Sequence, residues 1–78
     1  MPPPMIGDWI VKVTAVRPFT IHGDLYFELH VVEPEDAAQM TAVRVPQHAI
    51  ASPPREGDRI RLTFLMGQVT AAKCEADL

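Results

Sequence analysis

Seventy-eight residues suffice for one small domain and little else. Apolar residues make up 47% of the chain and charged ones 22%, so there is material to bury and no disordered polyelectrolyte is expected. Ten acids against seven bases give a net charge of -3, which opposes strong, indiscriminate binding to polyanions.

No apolar stretch approaches the ~20 residues needed to span a bilayer. The opening Met1-Pro2-Pro3-Pro4-Met5 lacks the basic region and apolar stretch of a signal peptide, so no membrane partner is expected. Its prolines read as a flexible tail over residues 1–8, or as a short polyproline II segment able to dock in an aromatic groove. One cysteine, Cys74, has no internal partner and fits a reducing, cytoplasmic compartment.

Glycine and proline divide residues 9–75 into five short runs within a single domain. The first, Trp9 to Val16, is rich in β-branched residues and is expected to stop at Pro18. Trp9, Val11, Val13 and Ala15 fall on one face of it, Lys12 and Thr14 on the other. His22-Gly23-Asp24 is a turn signal. The second run, Leu25 to Val32, places Leu25, Phe27, Leu29 and Val31 inward and Tyr26, Glu28 and His30 outward.

Glu33-Pro34-Glu35-Asp36 then breaks the chain. The third run, Met40 to Val45, turns Thr41, Val43 and Val45 inward and Ala42 and Arg44 outward. Pro46, followed by Gln47 to Ala51, suits one or two helical turns that Pro53-Pro54 must end. Glu56-Gly57-Asp58 leads into the fourth run, Arg59 to Leu65, with Ile60, Leu62 and Phe64 inward and Arg59, Arg61 and Thr63 outward. Gly67 marks a tight hairpin into the fifth run, Val69 to Glu75, where Val69, Ala71 and Lys73 share a face.

The expected architecture is all-β. Five antiparallel strands, with one short helix between strands three and four, hide a one-sided apolar face by closing into a small barrel, with Ile50 as a plug at one end. This order, together with the Gly57-Asp58-Arg59-Ile60-Arg61-Leu62 entry to strand four, resembles an OB-fold over nearly the whole chain, from Gly7 to Glu75. The resemblance implies a partly open five-stranded barrel whose strands two and three bind single-stranded nucleic acid or oligosaccharide, or in other members a protein partner. The first run has no glycine to bend on, so an SH3-like barrel or a flatter sheet stays open beside it.

The acids sit mostly where turns are expected, at Asp8, Asp24, Glu33, Glu35, Asp36, Glu56 and Asp58, with Asp77 at the tail. The bases Lys12, Arg44, Arg59, Arg61 and Lys73 lie in the strand-like runs, so an acidic chain can still carry one basic face. Lys12, Tyr26, His30 and Arg44 are the candidate contacts for single-stranded DNA or RNA, with Arg61 extending the stripe. Tyr26 would stack a base, and the cations would meet phosphates. Trp9, Phe27 and Phe64 read as core, and Phe19 lies in the first loop.

The competing reading is a solvated sheet face in a protein-interaction or assembly module. An exposed strand edge, or an outward patch of Ile10, Val16 and Val32, would then serve a partner or homodimer. His22, His30 and His48 lie in separate elements without metal-ligand spacing, so no metal is expected. Ser52 and Cys74 have no base nearby in sequence, and no lysine follows a glycine-rich loop. The chain therefore reads as no enzyme and needs no cofactor.

Overall fold

The structure is a computed structural model and describes residues 4–75. Pro2, Pro3 and Asp77 lie outside the described residues. Five strands form one antiparallel sheet: β1 (Gly7–Ile21), β2 (Asp24–Glu33), β3 (Asp36–Pro46), β4 (Arg59–Leu65) and β5 (Gln68–Cys74). Their order across the sheet is β3-β2-β1-β4-β5, so β1 joins the two hairpins. A single 3-10 turn, Gln47–Ala49, stands where one or two helical turns were expected. Pro46 flanks it in extended geometry instead of occupying its first position.

All five strands supply one core. Val11 and Val13 from β1, Leu29 and Val31 from β2, Val45 from β3 and Ile60 and Leu62 from β4 have no exposed surface, and Val69 and Ala72 from β5 join them. One layer buries its apolar face only by curling on itself, and the edge strands β3 and β5 come into contact. Ile50 is half-buried, packs against the core and bridges to Ala72 on β5.

The curl begins at a bulge. In the β1–β2 ladder Val13 pairs with Val31 and Ala15 with His30, leaving Thr14 as an extra residue whose hydroxyl donates to the His30 carbonyl at 3.0 Å. A bulge increases local twist, so it supplies the bend for which the stretch from Trp9 to Val16 has no glycine. Val13 is also held from the other side: its N–H donates to the Asp58 carbonyl at 2.8 Å, and its own carbonyl accepts from Gly57 at 2.7 Å. The turn suits Gly57, whose φ of 95° a side chain rarely tolerates.

Beyond Thr14 the strand continues through Pro18 to Ile21, contrary to expectation. The ladder to β4 ends at Lys12, so around Pro18 β1 pairs with β2 alone and the missing proline N–H breaks no second ladder. The bulge also changes which residues face inward. Val16 packs against the core. Val32 keeps the side of β2 that pairs with Lys12 and Met40, but it is only 6% exposed. Of the expected outward patch only Ile10 remains exposed.

A second bulge shifts β5. Thr63 pairs with Ala71 and Phe64 with Val69, which leaves Thr70 extra. The buried pair is therefore Val69 and Ala72, and Ala71 and Lys73 face solvent, opposite to the expected alternation. β1 also starts earlier than the expected tail boundary: Gly7 pairs with Phe64, and Asp8 accepts hydrogen bonds from Thr63 (2.9 Å) and Arg61 (3.4 Å). No helix among the described residues is long and apolar enough to cross a membrane.

Candidate nucleic-acid interface

The cross-strand register sets out the outer surface of β1, β2 and β3 in rows. Phe19 pairs with Tyr26, and Tyr26 with Pro46; Arg17 pairs with Glu28, and Glu28 with Arg44; Ala15 pairs with His30, and His30 with Ala42. Phe19 and Tyr26 stack with ring centroids 5.7 Å apart and planes 22° apart. The Arg44 guanidinium lies over the Phe19 ring, 5.5 Å from its centre. Such contacts hold a planar cation and two rings in one orientation at low entropic cost.

This cluster borders an open groove of about 750 Å³. Tyr26, Glu28, Arg44 and His48 line one side, and Gln68 and Thr70 of the β4–β5 hairpin line the other. Arg17 and Arg44 are exposed and have no acidic partner at ion-pair distance among the described residues. Glu28 lies between them and approaches His30, with its carboxylate 4.0 Å from the ring nitrogen. A phosphate chain would be repelled at Glu28 and drawn to the flanking arginines. The outer surface of β1 to β3 therefore offers a stacked pair of rings with two cationic points, of which Tyr26 and Arg44 line the groove and Phe19 and Arg17 lie beside it.

The expected site residues divide into two groups. Tyr26, His30 and Arg44 share this surface, but Lys12 does not. It pairs with Val32, six residues from Tyr26 along β2, or about 20 Å at the rise of an extended strand. Lys12 instead faces Arg59 on β4. Arg61 lies on that same strand, bound to Glu75 at 2.8 Å and Asp8 at 3.4 Å. Both carboxylates, Glu75 foremost through its hydrogen bond, raise the tendency of the guanidinium to stay protonated.

Phe19 and Arg17 were missed as site residues because Pro18 between them reads as a strand end. The available signal was the pattern past the proline: Phe19, Thr20 and Ile21 are all good strand formers. Among the described residues no group of three histidine, cysteine or acidic side chains is placed to hold a metal ion. Cys74 lies elsewhere, 3.8 Å from an Asp58 oxygen, beside a cavity of about 390 Å³ lined by Ser52, Pro54 and Arg55. No family model matches the chain, and no curated protein or solved structure matches it either.

Proposed function

We propose that this domain is an OB-like binding module that takes single-stranded nucleic acid along the groove beside β2 and β3, and that it is not an enzyme. The observation that carries this reading is the Phe19–Tyr26 stack with Arg44 over it, at the rim of an open groove. A base stacked on the exposed side of this pair gains contact whatever its identity, and Arg44 and Arg17 meet the flanking phosphates. The strand order, with β1 joining two hairpins and β3 meeting β5, supports the OB-like part of the proposal. A reducing cytoplasm, where a lone thiol stays unpaired, is the compartment that suits this role.

Fluorescence anisotropy of labelled single-stranded DNA and RNA tests it, at low and then moderate salt. The expected result is micromolar binding that weakens with salt and is lost in part in Tyr26→Ala and in Arg44→Ala. No binding at low salt, where electrostatic attraction is strongest, would overturn the proposal. Unchanged affinity in both variants would move the site elsewhere.

A further inference from the structure

The other half of the outer surface carries a cluster of cations with a different geometry. Lys12 on β1 lies directly opposite Arg59 on β4, and Arg61 on β4 lies directly opposite Lys73 on β5. Arg59 and Arg61 are two residues apart on one strand, so the two like-charged pairs form adjacent rows about 7 Å apart. Directly opposed side chains have Cβ atoms within about 5.5 Å, and like charges there destabilise a sheet. Of the four, Arg61 has acidic partners, Asp8 and Glu75. Lys12, Arg59 and Lys73 are exposed and have none among the described residues.

Two opposed like-charge pairs in neighbouring rows, on a chain with net charge -3, are the feature to be explained. None of the four side chains lines either cavity described above, and all four lie on one face of adjacent strands, so a ligand spanning them lies along that face. Asp8 and Glu75 already meet Arg61, and one further carboxylate would neutralise one of Lys12, Arg59 and Lys73 and leave the other two unmet. A chain of phosphoryl groups carries several negative charges at close spacing and can meet both rows together, with Arg59 offering the forked geometry that phosphate oxygens accept. We propose that Lys12, Arg59, Arg61 and Lys73 form a second binding site, separate from the Tyr26–Arg44 groove, for an oligophosphate: inorganic polyphosphate or the backbone of a nucleic acid.

The predicted linkage is measurable on the intact chain. Tripolyphosphate relieves the opposed charges only in the folded state, so it should raise the melting temperature at low salt and lose this effect as salt rises. Lys73→Glu sets an acid opposite Arg61, and Lys12→Glu sets one opposite Arg59. Each variant should melt at or above the wild-type temperature without ligand, and each should bind tripolyphosphate about tenfold more weakly. Tyr26→Ala should respond to tripolyphosphate as the wild type does, which keeps this site distinct from the groove whether or not the groove binds nucleic acid.

The arms of the experiment separate the sources. Stabilisation by tripolyphosphate and by oligothymidylate, both lost in Lys73→Glu, supports the site and points to nucleic-acid backbone. Stabilisation by tripolyphosphate alone supports it and points to inorganic polyphosphate. A wild-type protein that does not respond to millimolar tripolyphosphate at low salt overturns the inference. So does a response that survives in both Lys12→Glu and Lys73→Glu. Equal stabilisation by polyglutamate overturns the assignment to phosphate and favours an acidic protein partner.

Discussion

Across Thr14 the two halves of β1 serve different surfaces. Arg17 and Phe19 join Tyr26 and Arg44, whereas Lys12 joins Arg59, Arg61 and Lys73. The first surface has a stacked pair of rings with Arg17, Glu28 and Arg44 beside it; the second has four cations, of which Arg61 holds Asp8 and Glu75, and no ring. One strand supplies both because its upstream half pairs with β4, and its downstream half extends along β2 past the end of that ladder. A single strongly curled sheet can thus present two chemistries without a second layer, provided that the shared strand bends. The two surfaces also stand on the same core.

Leu29 lies on β2, whose outer side carries Tyr26, and Leu62 on β4, whose outer side carries Arg61; neither has any exposed surface. If one core supports both surfaces, Leu29→Ala and Leu62→Ala should each destabilise the whole domain, by about 2–5 kcal/mol. Chemical denaturation followed by Trp9 fluorescence and by circular dichroism should then show one coincident transition in each variant. Two separated transitions would mean that the hairpins β2–β3 and β4–β5 hold together independently, and the comparison would become one between two units.

The next effect separates the surfaces by chemistry. Replacing Tyr26 with alanine removes a stacking surface worth about 1–3 kcal/mol per base, and should leave the salt dependence of nucleic-acid binding in place. Arg44→Ala should lower affinity and also reduce the slope of log K against log salt by about 0.7, the share of one phosphate contact on a single strand. Anisotropy titrations at four salt concentrations read both quantities. A Tyr26→Ala variant with a changed slope, or an Arg44→Ala variant with an unchanged one, would show that ring and cation do not divide the work in this way.

Thr14→Ala keeps the bulge and removes one hydrogen bond, so its cost should be about 1 kcal/mol in thermal or chemical unfolding. Deleting Thr14 is a different perturbation. Val13 would still face inward, Ala15 outward and Val16 inward, so every side chain keeps its side, but the extra twist is gone. The deletion should therefore destabilise more than the alanine variant although no apolar group is removed. Equal stability of the two would show that the curl does not depend on the bulge.

Thr14 and Thr70 also mark where the fold stopped being legible in the sequence. The alternation of β2 and β4 gave their inward faces correctly, because Phe27, Leu29, Val31 and Ile60, Leu62, Phe64 repeat with a period of two and neither strand contains the extra residue of its bulged ladder. In β1 and β5 one threonine resets the period, so Val16 and Ala72 turn inward while Ala71 and Lys73 turn out. Threonine carries no mark of a bulge, since its side chain suits a regular strand equally well. Tyr26 and Arg44 were legible as neighbours because both lie on regular, unshifted stretches of the β2–β3 ladder. Phe19 was hidden by Pro18, whose effect depends on whether a second strand needs its N–H, and that is a property of the sheet.

The smallest effect concerns Cys74, which follows Lys73 at the margin of the cationic surface. A thiol beside cations would ordinarily ionise more readily. Here the direction is opposite. The residue is exposed, yet loss of solvent around its sulfur, and then the Asp58 carboxylate 3.8 Å away, push the thiol above its usual range. The carboxylate is held in place by the Arg55 backbone N–H at 2.9 Å, and Cys74 pairs with the buried Ile60, on the side of β5 away from Lys73. At neutral pH the sulfur stays protonated, and alkylation by iodoacetamide should be slow and should accelerate only at a pH above that of a free cysteine. Asp58→Asn keeps an acceptor for Arg55 and removes the charge, so it should shift that profile toward lower pH. Because desolvation, the larger cause, remains, the profile should stay above that of free cysteine. A profile unchanged by the substitution would mean that desolvation alone sets the thiol. A wild-type profile below that of free cysteine would mean that the cationic surface extends as far as Cys74.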